Sequence, residues 1–153
     1  MKLYISIDKT SLNGYVNIDP FVAKDKINFD PRNLDELLDK AEAEEIIADD
    51  VIDYFSHVQL YNIIQNWAEK LRHGGKLIIT GNDLKELCRK NFLGEIDTGT
   101  FNLILFGQHD KAWKFKGSCI TIDEVTNLLL NFGLKIQRRE INGYRYVVEG
   151  MRE

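Results

Sequence analysis

KLYISIDKTSLNGYVNIDP, residues 2 to 20, decides the reading of this chain. Leu3 to Ile7 and Tyr15 to Ile18 carry the β-branched and aromatic character of strands, and a turn separates them. Only Asp8 to Gly14 lie between, whereas a parallel crossover normally takes a dozen or more residues and a helix. Seven extended residues still span about 20 Å, so a parallel return with one turn in place of the helix is feasible. That arrangement opens a nucleotide-binding type of sheet and leaves the carboxyl end of the first strand unusually open.

Working outward, Lys26 to Phe29 reads as a third, shorter strand. A helix is expected from Asn33, with Glu36 at the capping-box spacing and Leu34, Leu37, Leu38 and Ala41 on one face. Glu45 to Ala48 returns to strand. Ser56 and Gln59 then make a second capping box, followed by the periodic Leu60, Ile64, Trp67 and Leu71. His73, Gly74 and Gly75 are expected to close that helix, since glycine accepts the left-handed conformation. Lys76 to Thr80 reads as a buried strand and Asp83 to Lys90 as a helix, with a less regular stretch through Trp113. Thr121 and Glu124 form another capping box before Val125, Leu128, Leu129 and Phe132, and Gly133 stops that helix. Two final strands, Leu134 to Ile141 and Tyr144 to Glu149, flank Asn142-Gly143, a pair suited to a type I′ turn. Alternating strands and helices followed by a hairpin predict an α/β fold: a doubly wound, mostly parallel sheet with a C-terminal antiparallel β-hairpin.

Composition agrees with one domain spanning residues 1–153. A chain of this length buries roughly 70% of the surface its unfolded form exposes, and 44% hydrophobic with 29% charged residues is ordinary for a globular protein. The formal net charge of −4 argues against nucleic acid as the main partner, although Lys111, Lys114 and Lys116 cluster locally. Cys88 and Cys119 lie in no metal-ligand spacing, so no metal is expected and both read as reduced, structural residues. The sequence begins directly with strand-like residues and has no apolar run near the roughly 20 residues of a membrane span. A cytoplasmic protein is the expectation, and the oligomeric state is left open.

Lys2, Leu3 and Ile5 match a first-strand motif Lys-Leu-x-Leu-Gly-Cys-Gly, and Gly14, Tyr15, Val16, Asn17, Ile18 and Asp19 match Gly-Tyr-Ile-Asn-Ile-Asp. LRHGGKLIIT, residues 71–80, resembles Leu-Lys-Pro-Gly-Gly-x-Leu, with His73 where proline is usual. FNLILFGQ, the helix at Thr121 and the closing YRYVVEG extend the likeness. On these motifs the chain resembles the compact class I S-adenosylmethionine-dependent methyltransferases, with a degenerate glycine-rich motif and a shortened N-terminal unit. The family's two glycines correspond to Ser6 and Asp8, whose Cβ atoms narrow the approach to the methionine end of the cofactor.

The resemblance implies S-adenosylmethionine as cofactor, a small molecule or sugar as methyl acceptor, and a Rossmann-like sheet. It places Ser6 and Asp8 beside the methionine moiety, Asp19 on the ribose hydroxyls (its alternative being a cap or turn carboxylate before Pro20), Asp30 and Leu34 near the adenine (Asp30 reading equally as a helix-entry residue before Pro31), and Asp49 facing cofactor and acceptor. Asp50 is a candidate acid or base beside Asp49, since close carboxylates split their pKa values, although consecutive residues at a strand end usually point apart. His57, in the first turn of a helix, is a second candidate base, its alternative being an exposed surface histidine. Methyl transfer from a sulfonium depends mainly on holding donor and acceptor in line, so no triad is required. His73 reads as a helix-end residue. Gln108, His109 and Trp113 lie in a loop that either covers the acceptor site or packs under its own aromatics.

Two other functions compete with the enzyme reading. One is a catalytically inactive methyltransferase-like binding or assembly module that has lost the cofactor loop, as Ser6 and Asp8 suggest. The other is a phosphoacceptor receiver domain, suggested by Asp49-Asp50 but disfavoured by the lack of an acidic pair after the first strand and by the terminal hairpin.

Overall fold

A computed structural model describes residues 1–153. Its strands are β1 (Lys2–Ser6), β2 (Val16–Asp19), β3 (Ile27–Asn28), β4 (Ala43–Asp49), β5 (Leu71–Asn82), β6 (Leu134–Asn142) and β7 (Arg145–Arg152). All seven join one sheet in the order β3-β2-β1-β4-β5-β7-β6. The first five run parallel, and β7 lies antiparallel between β5 and β6. Helices α1 (His57–Lys70), α2 (Leu84–Phe92), α3 (Thr98–Phe106) and α4 (Ile122–Asn131) complete the fold, with a 3₁₀ turn at Ile52–Tyr54. This is the doubly wound sheet with an antiparallel hairpin that the sequence predicts.

The short crossover is real: Leu3, Tyr4 and Ile5 pair in parallel with Val16, Asn17 and Ile18, and no helix intervenes. Leu3, Ile5, Ile18, Ile46, Ala48, Leu77 and Ile79 are fully buried, as strands covered on both faces require. Trp67, also fully buried, anchors α1 in this core and meets Phe55 edge to face.

Several local expectations change. No helix forms after Asn33; residues 31–41 are turns. The side chain of Asn33 accepts from Asp35 N–H, two residues on, Leu37 and Leu38 N–H share Leu34 O, and several of the segment's remaining polar groups are taken by α1. Asn66 Oδ1 accepts from Leu34 N–H at 2.8 Å, Trp67 Nε1 donates to Pro31 O at 2.7 Å, and Lys70 Nζ donates to Leu38 O at 2.7 Å. Tertiary partners thus take most of the groups that an i→i−4 ladder would have used, of which only Leu38 N–H to Leu34 O remains. Ser56 makes no side-chain cap; its carbonyl, not its hydroxyl, accepts from Gln59.

Helix α1 ends at Lys70, and His73 to Gly75 belong to β5, where the register slips between Ala43 and Glu45 of the partner strand. A Cβ on Gly75 would lie 2.8 Å from Ala43 O, so the glycine serves strand contact rather than helix termination. The irregular stretch contains α3, whose apolar residues fall on every side of the helix and so show no stripe to read. The hairpin turns on Gly143-Tyr144, one residue later than expected: Asn142 pairs with Arg145, and only Gly143 has a positive φ, 63°. Glycine first in a two-residue loop with one positive φ fits type II′, not I′. The cap at Thr121 forms as read, its hydroxyl accepting from Glu124 N–H. Cys88 is exposed rather than structural, and Cys119 is half-buried.

Candidate functional site at the carboxyl edge of the sheet

In open α/β sheets ligands bind beyond the carboxyl ends of the strands. Here that edge gathers Ser6, Asp8 and Lys9 after β1, Asp19 at the end of β2, Asp49 and Asp50 after β4, and Thr80 to Asp83 at the end of β5.

On the β1–β2 side both oxygens of Asp19 have internal partners. Asp19 has no exposed surface. Its Oδ1 accepts from Phe21 and Val22 N–H, both at 2.9 Å, and its Oδ2 accepts from Asp8 N–H at 2.7 Å. Lys26 Nζ, buried and 3.8 Å from Oδ2, balances the charge while donating to Ser6 Oγ at 2.9 Å. A carboxylate offers about four lone-pair sites; three accept these N–H groups, and the Lys26 ammonium stands in ion-pair range of the same oxygen as Asp8 N–H. Asp8 adopts φ 50°, a left-handed conformation that a glycine would take without strain. Its side chain is half-exposed, 3.7 Å from Lys24.

Lys9 ties the loop after β1 to the end of β4. Its Nζ donates to Asp49 Oδ1 and to Asp50 Oδ2, each at 2.8 Å. Asp49 also accepts from Tyr4 Oη at 2.7 Å and Thr80 Oγ1 at 2.9 Å, and Arg145 stands 2.5 Å from Asp50 Oδ1. Burial works against the charged form of Asp49, but the Lys9 and Tyr4 hydrogen bonds win and hold its carboxyl below the usual range. The adjacent carboxylates converge, contrary to the pleat argument, because Asp50 leaves the strand at φ 57°.

The other named residues fall elsewhere. Leu34 is fully buried and offers no surface to a ligand. Asp30 is exposed and forked onto Arg32 at 2.7–3.0 Å, lining a shallow cleft of ≈ 450 Å³ with Pro20, Asn28, Phe29 and Asn33. His57 is exposed and its Nε2 lies 2.6 Å from Glu124 Oε1 of α4, sharing no hydrogen bond with Asp49 or Asp50. No cluster of three or more His, Cys, Asp or Glu side chains is arranged to hold a metal. A second cleft of ≈ 440 Å³, around His73, Phe132 and Arg152, involves the start of β5 and so lies away from this edge.

The residue that sequence reasoning missed is Asp53. It sits in the 3₁₀ turn after β4, only 2% exposed, and its Oδ1 has no hydrogen-bond partner. Asn82 Nδ2 reaches Oδ2 at 3.4 Å and Lys116 Nζ lies at 3.7 Å. Burial pushes its carboxyl up to about 6, against the pull of Lys116. The Tyr146 hydroxyl, 1% exposed, is likewise unpartnered. A lone carboxylate within the apolar run VIDYF, residues 51–55, was the available signal.

No protein-family model matches the sequence, and no curated protein does. Solved structures do match in fold. PH0226 protein from Pyrococcus horikoshii is 18% identical over 92% of this chain and 73% of its own, with a TM-score of 0.64. An O-methyltransferase family protein from Burkholderia thailandensis is 12% identical over 84% of this chain and 35% of its own, TM-score 0.60. Magnesium protoporphyrin IX methyltransferase from Synechocystis, solved with bound S-adenosylhomocysteine, is 13% identical over 92% of this chain and 65% of its own, TM-score 0.57. The chain therefore spans between about a third and three quarters of the length of these proteins. At such identities the likeness establishes architecture: the chain has the class I methyltransferase fold.

Proposed function

We propose that this chain is a catalytically inactive methyltransferase-fold module, acting in binding or assembly, whose own side chains fill the S-adenosylmethionine cleft. The observation that carries this reading is the Asp19 carboxylate. The ribose role needs two acceptor oxygens facing outward, and Asp19 spends both on three backbone N–H groups and Lys26 with no exposed surface. Lys9 adds to it by placing an ammonium between Asp49 and Asp50, the carboxylates that would otherwise face a cationic cofactor. The residues do not fit the cofactor as they stand, so no chemical step is derived through it.

A small S-adenosylmethionine-dependent methyltransferase acting on a small molecule or sugar is the second reading. The left-handed backbone at Asp8 favours it, because the turn of a glycine loop is kept, and so do the methyltransferases among the structural neighbours.

Isothermal titration with S-adenosylmethionine, S-adenosylhomocysteine and adenosine separates the two. The inactive module shows no heat of binding at millimolar ligand. Micromolar binding by the natural protein, lost in Asp19→Ala, would overturn this reading in favour of the enzyme.

A further inference from the structure

Residues 107–120 join α3 to α4 without helix or strand, and their anchors converge on one turn. Asp53 O accepts from Gly117 N–H at 2.8 Å and from Ser118 N–H at 3.1 Å, while Ser118 Oγ donates to Ile52 O at 3.4 Å. Lys116 Nζ faces the Asp53 carboxylate and donates to Ile104 O at 3.0 Å. The contact is close: a Cβ on Gly117 would lie 3.0 Å from the Phe55 backbone. Further along the strap, Trp113 stacks on Phe21 at 6.3 Å and Lys116 stands over the Tyr54 ring at 5.8 Å. Phe21 and Tyr54, with Pro20, Asp30, Arg32 and Phe55, line a cleft of ≈ 200 Å³.

We propose that Asp53 is a proton-linked clasp, which holds the 107–118 strap docked against Phe21 and Tyr54 beside this cleft when neutral and releases it when ionised. The geometry supplies the reason. An ionised carboxylate with one oxygen unpartnered and its nearest cation beyond hydrogen-bonding distance gains solvation that only movement of the strap can admit. Lys116 from the strap and Arg145 from β7 favour the ionised form, as does Asn82 at the end of β5. Asp50 opposes it. Tyr54 of the same turn, Cys119 of the strap and Tyr146 of β7 also feel the Asp53 charge, and Asp83 bears on the last two.

The direction follows from linkage. The closed, desolvated state carries the raised carboxyl, about 6, and the state with the higher pKa is favoured at low pH. Closure is therefore complete in acid, and opening grows as pH rises through about 6. The opening equilibrium changes by up to about a hundredfold between the ordinary carboxylate range and that point.

The test is hydrogen exchange of the Gly117 and Ser118 amides in the full chain from pH 4 to 8, corrected for intrinsic exchange. Acrylamide quenching of Trp113 runs alongside, with fully buried Trp67 as the silent reference. The clasp predicts loss of protection with a midpoint near 6, no such step in Asp53→Asn, and an upward-shifted midpoint in Lys116→Met. A flat wild-type profile would overturn it, as would a step that survives Asp53→Asn. A step abolished by His109→Gln would also do so, because His109 lies in the strap and histidine titrates in the same range.

Discussion

Asp19 and Asp53 are both almost wholly buried carboxylates at the carboxyl edge of one sheet, and their surroundings differ sharply. Asp19 accepts from three backbone N–H groups and has Lys26 beside it. Asp53 leaves one oxygen unpartnered and meets Asn82 and Lys116 only at 3.4 and 3.7 Å. On the β1–β2 side, where the resemblance places the cofactor, the Asp19 carboxylate is thus fully committed to its own loop. The β4–β5–β7 side retains unspent polar capacity. Partner count, more than burial, tells which carboxylate has something left to do.

The largest expected effect comes from Asp19→Ala. It strands three part-buried N–H donors and the buried Lys26 ammonium, and should cost about 3–5 kcal/mol, read as a drop in the urea midpoint at unchanged m-value. A loss below about 1 kcal/mol would break the contrast, because the carboxylate would then not be holding the loop.

Next is Asp53→Asn, with the opposite sign. Its folded-state value, about 6, lies above the unfolded one, so stability associated with this group is present in acid and lost as pH rises through about 6. The asparagine variant should be more stable than the natural protein by roughly 1–3 kcal/mol at pH 8, the difference vanishing near pH 4. Denaturation curves at the two pH values check this. Equal stability at pH 8 would mean that Asp53 finds partners as good as those of Asp19.

Lys9→Met should do least. The ammonium is partly exposed, its side chain 36% accessible, and such pairs contribute about 1 kcal/mol or less. The difference should shrink further in 1 M salt. A salt-insensitive loss of several kcal/mol would move Lys9 into the same class as Lys26 and sharpen the boundary between the two halves of the edge.

Much of the fold was legible where one residue type carries a local physical demand. The β-rich runs at 2–6 and 16–19 pair as read, and the cap at Thr121 forms. The pattern at 33–41 misled because a helix and a pair of turns bury Leu34 and Leu38 equally well. Asn66, Trp67 and Lys70 settled the matter from another element. Helix α3 was invisible for another reason: Phe101, Leu103, Ile104, Leu105 and Phe106 fall on every side of it and leave no stripe to read. Of the site, the carboxylates at strand ends were readable by position, but their partners were not. Lys9 reaches residues 40 and 41 positions away, and no local rule links them.

By itself the sequence determined the alternation of strands and helices, the short parallel return after β1, the terminal hairpin and the loss of two glycines from the first loop, because each depends on neighbours within a few residues. Only the tertiary structure decided that Asp19 is spent, that Lys9 draws Asp49 and Asp50 together, and that Asp53 is buried beneath the 107–118 strap. Those outcomes depend on which distant donors arrive at each oxygen, and that is set by the packing of whole elements.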